Sequence, residues 1–450
     1  MAKSAIVKAL GATPLGRIAG ATLLVGTLTA IARSTTVARE IVAASAFGTA
    51  EVLDAYLIAY AVPVFLLGAV SGSLQSAFIP KYIALGKKQG AEAADRLLAS
   101  TLGALLLGLG GVTLALVAAA RYVLPLMALN FDADNLALAR DLLYLMAPAI
   151  FLGAVPIAYS AWLNARERFR VPALLPGVGP LVAVLGLLIY GPTYGIRALA
   201  GGTVAGAAAE VAVVVLAARM AGRQLPWPRF GVTADLIALG REFWPLLFGT
   251  LLFSSTTLVD QVMAAALAPG SVAALGFGSR VTALVIAIAG VGVATSVLPA
   301  FSRLVADRDW PVLGRTLVQY GAIVVVLSAA ISAAVALFTV PVTELLFERG
   351  NFTGADTARV AQVQGYFVLQ LPFFLISLVL VRLLSALTSN RIVFAITAFN
   401  SVLNVVFNYV LMQSMGVAGI ALSTTLVHLL STLLFAAAAA ARIRTLKSAV

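Results

Sequence analysis

Twelve long apolar runs, each set off by a charged or Gly/Pro-rich break, leave this chain one way to fold: as helices that cross a bilayer. The runs cover about 18–46, 51–80, 97–121, 138–163, 173–191, 195–219, 242–268, 272–301, 314–346, 358–386, 392–413 and 416–441. Roughly 20 apolar residues suffice to span the hydrocarbon core. Inside lipid every backbone N–H and C=O must find a partner within the protein, and runs of this length do so as helices. The composition agrees: 61% of residues are hydrophobic, 11% are charged, and mean hydropathy is +1.03. Soluble domains carry about 25% charged residues. The expected fold is an all-α polytopic membrane protein with about 12 transmembrane helices.

The first run is unlike the others. It is long enough to span, yet its second half holds Arg33, Arg39 and Glu40. Arg33 and Glu40 are seven residues apart and share a helix face, with Arg39 about 100° round from Glu40. A charge at bilayer depth costs at least about 2.5–3.5 kcal/mol. Either the arginines snorkel to an interface, or they line a wet, protein-walled cavity. Charges in several other spans favour the cavity, and an arginine-bearing cavity suits an anionic substrate.

The charge distribution sets orientation. With the N-terminus in the cytoplasm, 21 of the 30 lysines and arginines fall in cytoplasmic segments, 5 in outside segments and 4 within spans. Lys3, Lys8 and Arg17 lie in a short lead-in that reads as cytoplasmic, not as a cleaved signal peptide. The net charge of +12 is therefore a topology signal, with both termini cytoplasmic, and gives no reason to expect nucleic acid. The sequence contains no cysteine and one histidine, His428, which argues against thiolate or histidine-cluster metal sites.

The chain also repeats itself at about half its length. Residues 145–169 resemble 369–394, with Pro148 opposite Pro372; 194–219 resemble 415–442; and Pro80 stands opposite Pro299. An even number of spans separates the copies, so the two six-helix halves are parallel repeats, and such repeats place a substrate site between them near the midplane. The expected organisation is a lobe over 1–219, a cytoplasmic linker over 220–241 containing Pro226 and Pro228, and a lobe over 242–450.

No P-loop, HExxH or nucleophile-elbow motif is present, so movement would be driven by an ion gradient, the membrane potential or the substrate gradient. Intramembrane polar residues mark the functional positions. Asn400, Asn404 and Asn408 recur every four residues as one polar stripe, suited to interhelical hydrogen bonding. A sharper reading joins Asp260 with Asn400 and Asn404 as hard oxygen ligands for Na⁺. Na⁺ and H⁺ both stay open as coupling ions, with Glu210 and His428 as protonatable groups, and no other cofactor is expected. For Glu51 and Asp54 two readings stand: functional intramembrane carboxylates, or caps for the start of the second span. Gly68 and Gly72 in the second span and Gly290 and Gly292 in the eighth supply bending points for gating.

Several blocks of the sequence resemble the MviN/MurJ family of lipid II flippases, within the superfamily of multidrug and oligosaccharidyl-lipid exporters. They include AREIVAASAFGTAEVLDAYLIAYAVP (38–63), QSAFIPKYIALGKKQG (75–90), LNARERFRVPALLPGVGP (163–180), GFGSRVTALVIAIAGVGVATSVLPAFSR (276–303) and LFERGNFTGADTARV (346–360). The resemblance implies a V-shaped two-lobed bundle with a central cavity. It implies transfer of an undecaprenyl-diphosphate-linked saccharide to the outer leaflet of a bacterial inner membrane, with Arg33, Arg39, Glu40 and Arg280 at the diphosphate. The departures are Thr36 where members have glycine, the apolar Val64–Gly68 where they have an arginine pair, and Ser279 where they have aspartate. The apolar pattern shows twelve spans, whereas many members have two more. These losses keep an exopolysaccharide or O-unit flippase open as a rival; a cation-coupled drug exporter and a scaffold for cell-wall or polysaccharide assembly proteins are the rivals of other classes.

Overall fold

The computed structural model describes residues 14–220 and 226–448, with side chains from residue 25 onward except 290–296 and 299. Lys3, Lys8 and Arg223 lie outside the described residues. Among the described residues all regular structure is helical. Among the described residues eleven helices or runs of consecutive helices are long and apolar enough to cross a membrane, from Glu51–Gln89 to Val417–Ser448. The charged first run forms a further helix, Pro14–Phe47, of 34 residues. At 1.5 Å per residue it is about 50 Å long, more than a bilayer core requires.

The expected repeat appears in the backbone. The span Ala133–Ala165 breaks at Ala147 and resumes at Pro148, and the span Gly354–Ala386 breaks at Leu369–Gln370 and resumes at Leu371–Pro372. Proline is tolerated in a helix's first turn, where its missing N–H is not needed. The paired prolines thus mark the same mid-span break in both halves. Gly195 and Gly416, aligned by the repeat, each link the last two helices of their half, with φ of +54° and +57°. That backbone region strains any residue with a Cβ.

The helices gather into two compact units. One comprises the chain up to Ala43, Ala59–Leu124 and Ala137–Leu251; the other comprises Ala44–Ile58, Pro125–Leu136 and Leu252 onward. Within the first unit, helices Val178–Tyr194 and Ile196–Met220 approach through small residues. A Cβ on Gly206 would lie 2.7 Å from Gly179 Cα, and one on Gly202 would lie 2.8 Å from Ala183 Cα. With no hydrophobic drive between helices in lipid, such close backbone approach is a main source of their association.

The single residue between these helices, Gly195, cannot absorb a separation, so crowding at the crossing is destabilising. Gly206→Val is expected to cost about 1–3 kcal/mol and to lower the midpoint of thermal aggregation in detergent. Gly201→Val on the same helix meets open space, and should leave that midpoint near wild type.

Candidate functional site

The first unit holds the charged face of helix Pro14–Phe47. Arg39 Nη1 donates to Tyr60 Oη at 3.1 Å, and its guanidinium carbon lies 5.1 Å from the centre of the Tyr60 ring. Arg39 Nη2 is 4.0 Å from Glu40 Oε1, and the Glu40 side chain is buried. Arg39 is therefore held by a carboxylate, a phenol oxygen and an aromatic face, each of which offsets part of its desolvation. Arg33, two turns back, is exposed. Tyr60 was not anticipated as a site residue; its only signal is an aromatic hydroxyl within an apolar run, which Tyr56 one turn earlier shares.

Arg280 belongs to the second unit. It opens helix Arg280–Ala306, after the chain breaks at Ser279 from the short helix Ser271–Gly278. It is partly buried. Gly290 and Gly292 lie in the same continuous helix. Gly68 and Gly72 lie in the continuous helix Glu51–Gln89, with nothing within 4 Å of where a Cβ would sit.

The polar stripe of helix Asn390–Met415 faces inward in the second unit. Asn404 and Asn408 donate from Nδ2 to Asp260 Oδ1, at 3.1 and 2.7 Å. Thr424 also reaches this carboxylate. Asn400 points elsewhere, donating to Ser431 Oγ at 2.6 Å. Asn408, named at the sequence level only as part of the stripe, takes the position beside Asp260. The side-chain oxygens of Asn400, Asn404 and Asn408 are buried and accept no hydrogen bond. Among the described residues no cluster of three His, Cys, Asp or Glu is present.

A third arrangement joins sequence blocks some 300 residues apart. Asp54 accepts the N–H groups of Gly270 and Ala273, both at 2.8 Å. It caps helix Ser271–Gly278, not the start of its own helix as its position suggested. Glu51 instead accepts from Asn135 Nδ2. Gly48, at φ +60°, lies against the Asn351 carbonyl. Asn351 N–H donates to Ser45 O at 2.8 Å and its amide to Ala46 O at 2.7 Å. Thr49 Oγ1 donates to Asp356. Asp356 also accepts from the backbone and hydroxyl of Thr353 as a capping box. Arg359 donates to Pro269 O at 2.8 Å and to Ser271 Oγ at 2.7 Å. The 46–56 block and the 347–356 block therefore form one joint.

A family model described as lipid II flippase MurJ matches residues 43–450. The chain belongs to the MurJ lipid II flippase family. Its relatives include a protein of Synechocystis sp. named "Probable lipid II flippase MurJ", 29% identical over 441 residues, with 94% of this chain and 80% of the relative covered. Among solved structures, a MurJ lipid II flippase in an inward closed conformation superposes with TM-score 0.79 at 22% identity, covering 92% of this chain and 86% of that one. An inward-facing multidrug resistance MATE transporter reaches TM-score 0.77 at 16% identity, covering 94% and 95%. At these identities the structures show a shared fold. The MurJ match starts at residue 43, past Arg33, Arg39 and Glu40, so the arrangement around Arg39 stands on its own geometry.

Removing the Asp54 carboxylate leaves two buried N–H groups without their acceptor. Asp54→Ala should cost about 1–3 kcal/mol for each group left unsatisfied, seen as a lower thermal unfolding midpoint. Asp54→Asn, which keeps one acceptor oxygen, should fall in between.

Proposed function

We propose that this chain carries a polyprenyl-diphosphate-linked saccharide of the lipid II type from the cytoplasmic to the outer leaflet of a bacterial inner membrane, by alternating access, with both termini cytoplasmic. The observation that supports this best is the family match over 43–450 together with an arginine that Tyr60 and Glu40 hold in the second half of an otherwise largely apolar helix. Movement of a lipid head across a bilayer makes and breaks no covalent bond, so the required work is binding, shielding and gating.

The substrate's diphosphate is the part hardest to move through hydrocarbon. Guanidinium groups suit it because a planar fork matches phosphate oxygens. Arg33, Arg39 and Arg280 are assigned to it. Glu40 holds Arg39 in the absence of substrate and yields it when the diphosphate arrives. The glycine pairs Gly68/Gly72 and Gly290/Gly292 are assigned as bending points for the lobes 1–219 and 242–450. The joint between the 46–56 and 347–356 blocks is assigned to closure of the outer side, because the lysine and arginine distribution puts those loops outside. The names of the relatives favour lipid II over an exopolysaccharide unit. The MATE likeness is one of fold and does not favour a drug substrate.

The Asp260 cluster is assigned to a coupling cation. A carboxylate and two carboxamide oxygens are a donor set that a hard cation such as Na⁺ takes; binding would turn the Asn404 and Asn408 amides, so that their oxygens, which accept no hydrogen bond, replace the Nδ2 groups beside Asp260. Asp260, Asn404 and Asn408 would hold it, and its charge would bias the second lobe between conformations.

Arg39→Ala and Arg280→Ala should each insert normally but fail to support growth when they replace a depleted lipid II flippase; wild-type growth in both would remove the diphosphate assignment. Asp260→Ala should flatten any dependence of transport on Na⁺ in proteoliposomes. An unchanged response across a Na⁺ titration would remove the cation assignment and leave the flippase reading in place.

A further inference from the structure

The segment between the two halves is pinned by its backbone and leaves its apolar side chains bare. Residues 226–233 are not helical. Arg229 N–H donates to Ala99 O at 2.9 Å, and the Arg229 carbonyl occupies the space that a Cβ on Gly103 would take. Tyr159 Oη donates to Pro226 O at 3.1 Å. At the far end Thr233 Oγ1 accepts the Leu236 N–H and caps helix Ala234–Ala265. All these partners lie in the first unit. Yet Trp227, Phe230 and Val232 are 86%, 65% and 80% exposed.

Backbone without helical hydrogen bonds is excluded from lipid hydrocarbon, which leaves the headgroup level or the water beyond it, and three large bare apolar side chains favour the headgroup level. From there large apolar side chains reach the acyl boundary, where tryptophan is enriched. Beside them is a cavity of about 320 Å³ lined by Arg96, Ser100, Arg229, Phe230 and Asp235 among others. Arg96 has a loose 4.0 Å pairing with Glu92, whose side chain is 95% exposed. Two guanidinium groups against the one carboxylate lining the cavity leave a net positive charge, which complements a single phosphodiester.

We propose that this linker is a membrane foot. Trp227, Phe230 and Val232 enter the interface of the cytoplasmic leaflet, and the Arg96–Arg229 cavity binds the phosphodiester of an anionic glycerophospholipid. The foot fixes the level in the bilayer of the first unit, which continues to Leu251. The choice of leaflet rests on the orientation proposed above.

The absence of cysteine makes the test direct. A nitroxide attached at Val232→Cys, in the full chain reconstituted with phosphatidylglycerol, should relax with oxygen and not with a water-soluble nickel chelate; the reverse pattern overturns the foot. By native mass spectrometry, Arg96→Gln/Arg229→Gln should bind phosphatidylglycerol on the order of tenfold more weakly than wild type. Equal binding overturns the phosphodiester site, and so does a variant that loses undecaprenyl diphosphate while retaining phosphatidylglycerol. Labelling of Lys88→Cys by an impermeant maleimide on intact cells would overturn the orientation and with it the leaflet, an outcome distinct from a nitroxide in water.

Discussion

Moving charge out of water is the constraint that shapes this molecule. On the mildest scale it costs about 2.5–3.5 kcal/mol per group at the bilayer centre. A hydrogen bond to a charged partner returns about 1.5–3 kcal/mol, so one or two good partners bring a buried charge close to balance. The charged groups described above follow that rule. Arg39 has a phenol oxygen and a nearby carboxylate, Asp260 has two carboxamides, and Asp54 has two backbone N–H groups. In each case the partners come from a neighbouring residue or another helix, so solvating the charge also fixes how helices pack.

That dependence separates the two kinds of polar feature in the chain. Around Asp260 the donors are spent on the carboxylate while the carboxamide oxygens are left facing inward, a pattern with capacity to spare. Around Asp54 both carboxylate oxygens are used, and the region is a joint with no spare capacity. The first suits a ligand and the second suits a closure.

Much of the architecture was legible in the sequence because lipid enforces simple rules. Span lengths and the Pro148/Pro372 pairing follow from local requirements visible in the residues themselves, whereas the positive-φ turns at Gly195 and Gly416 came from the backbone. The candidate site was legible in part. Arg39 and Glu40 stood out as charges in an apolar run, but Tyr60 is one aromatic among many, and only coordinates bring its hydroxyl to the guanidinium. Asp54 looked like a cap for its own helix, since a carboxylate in a first turn normally serves that turn. Its actual partners lie more than 200 residues away, a separation that no local pattern encodes. The asparagine stripe gave the face correctly, yet which two of three members meet Asp260 depends on helix rotation.

The joint between the distant blocks has an evolutionary corollary. On its receiving side most of the acceptors and donors are main-chain atoms: Ser45 O, Ala46 O, Pro269 O, and the N–H groups of Gly270, Ala273 and Asn351. Main-chain atoms persist through substitution. A lineage can therefore rewrite most of those loops and keep the seam, provided a few side chains such as Asp54 and Asp356 and the tight turn at Gly48 survive. Divergence to 29% identity is compatible with an intact seam for that reason.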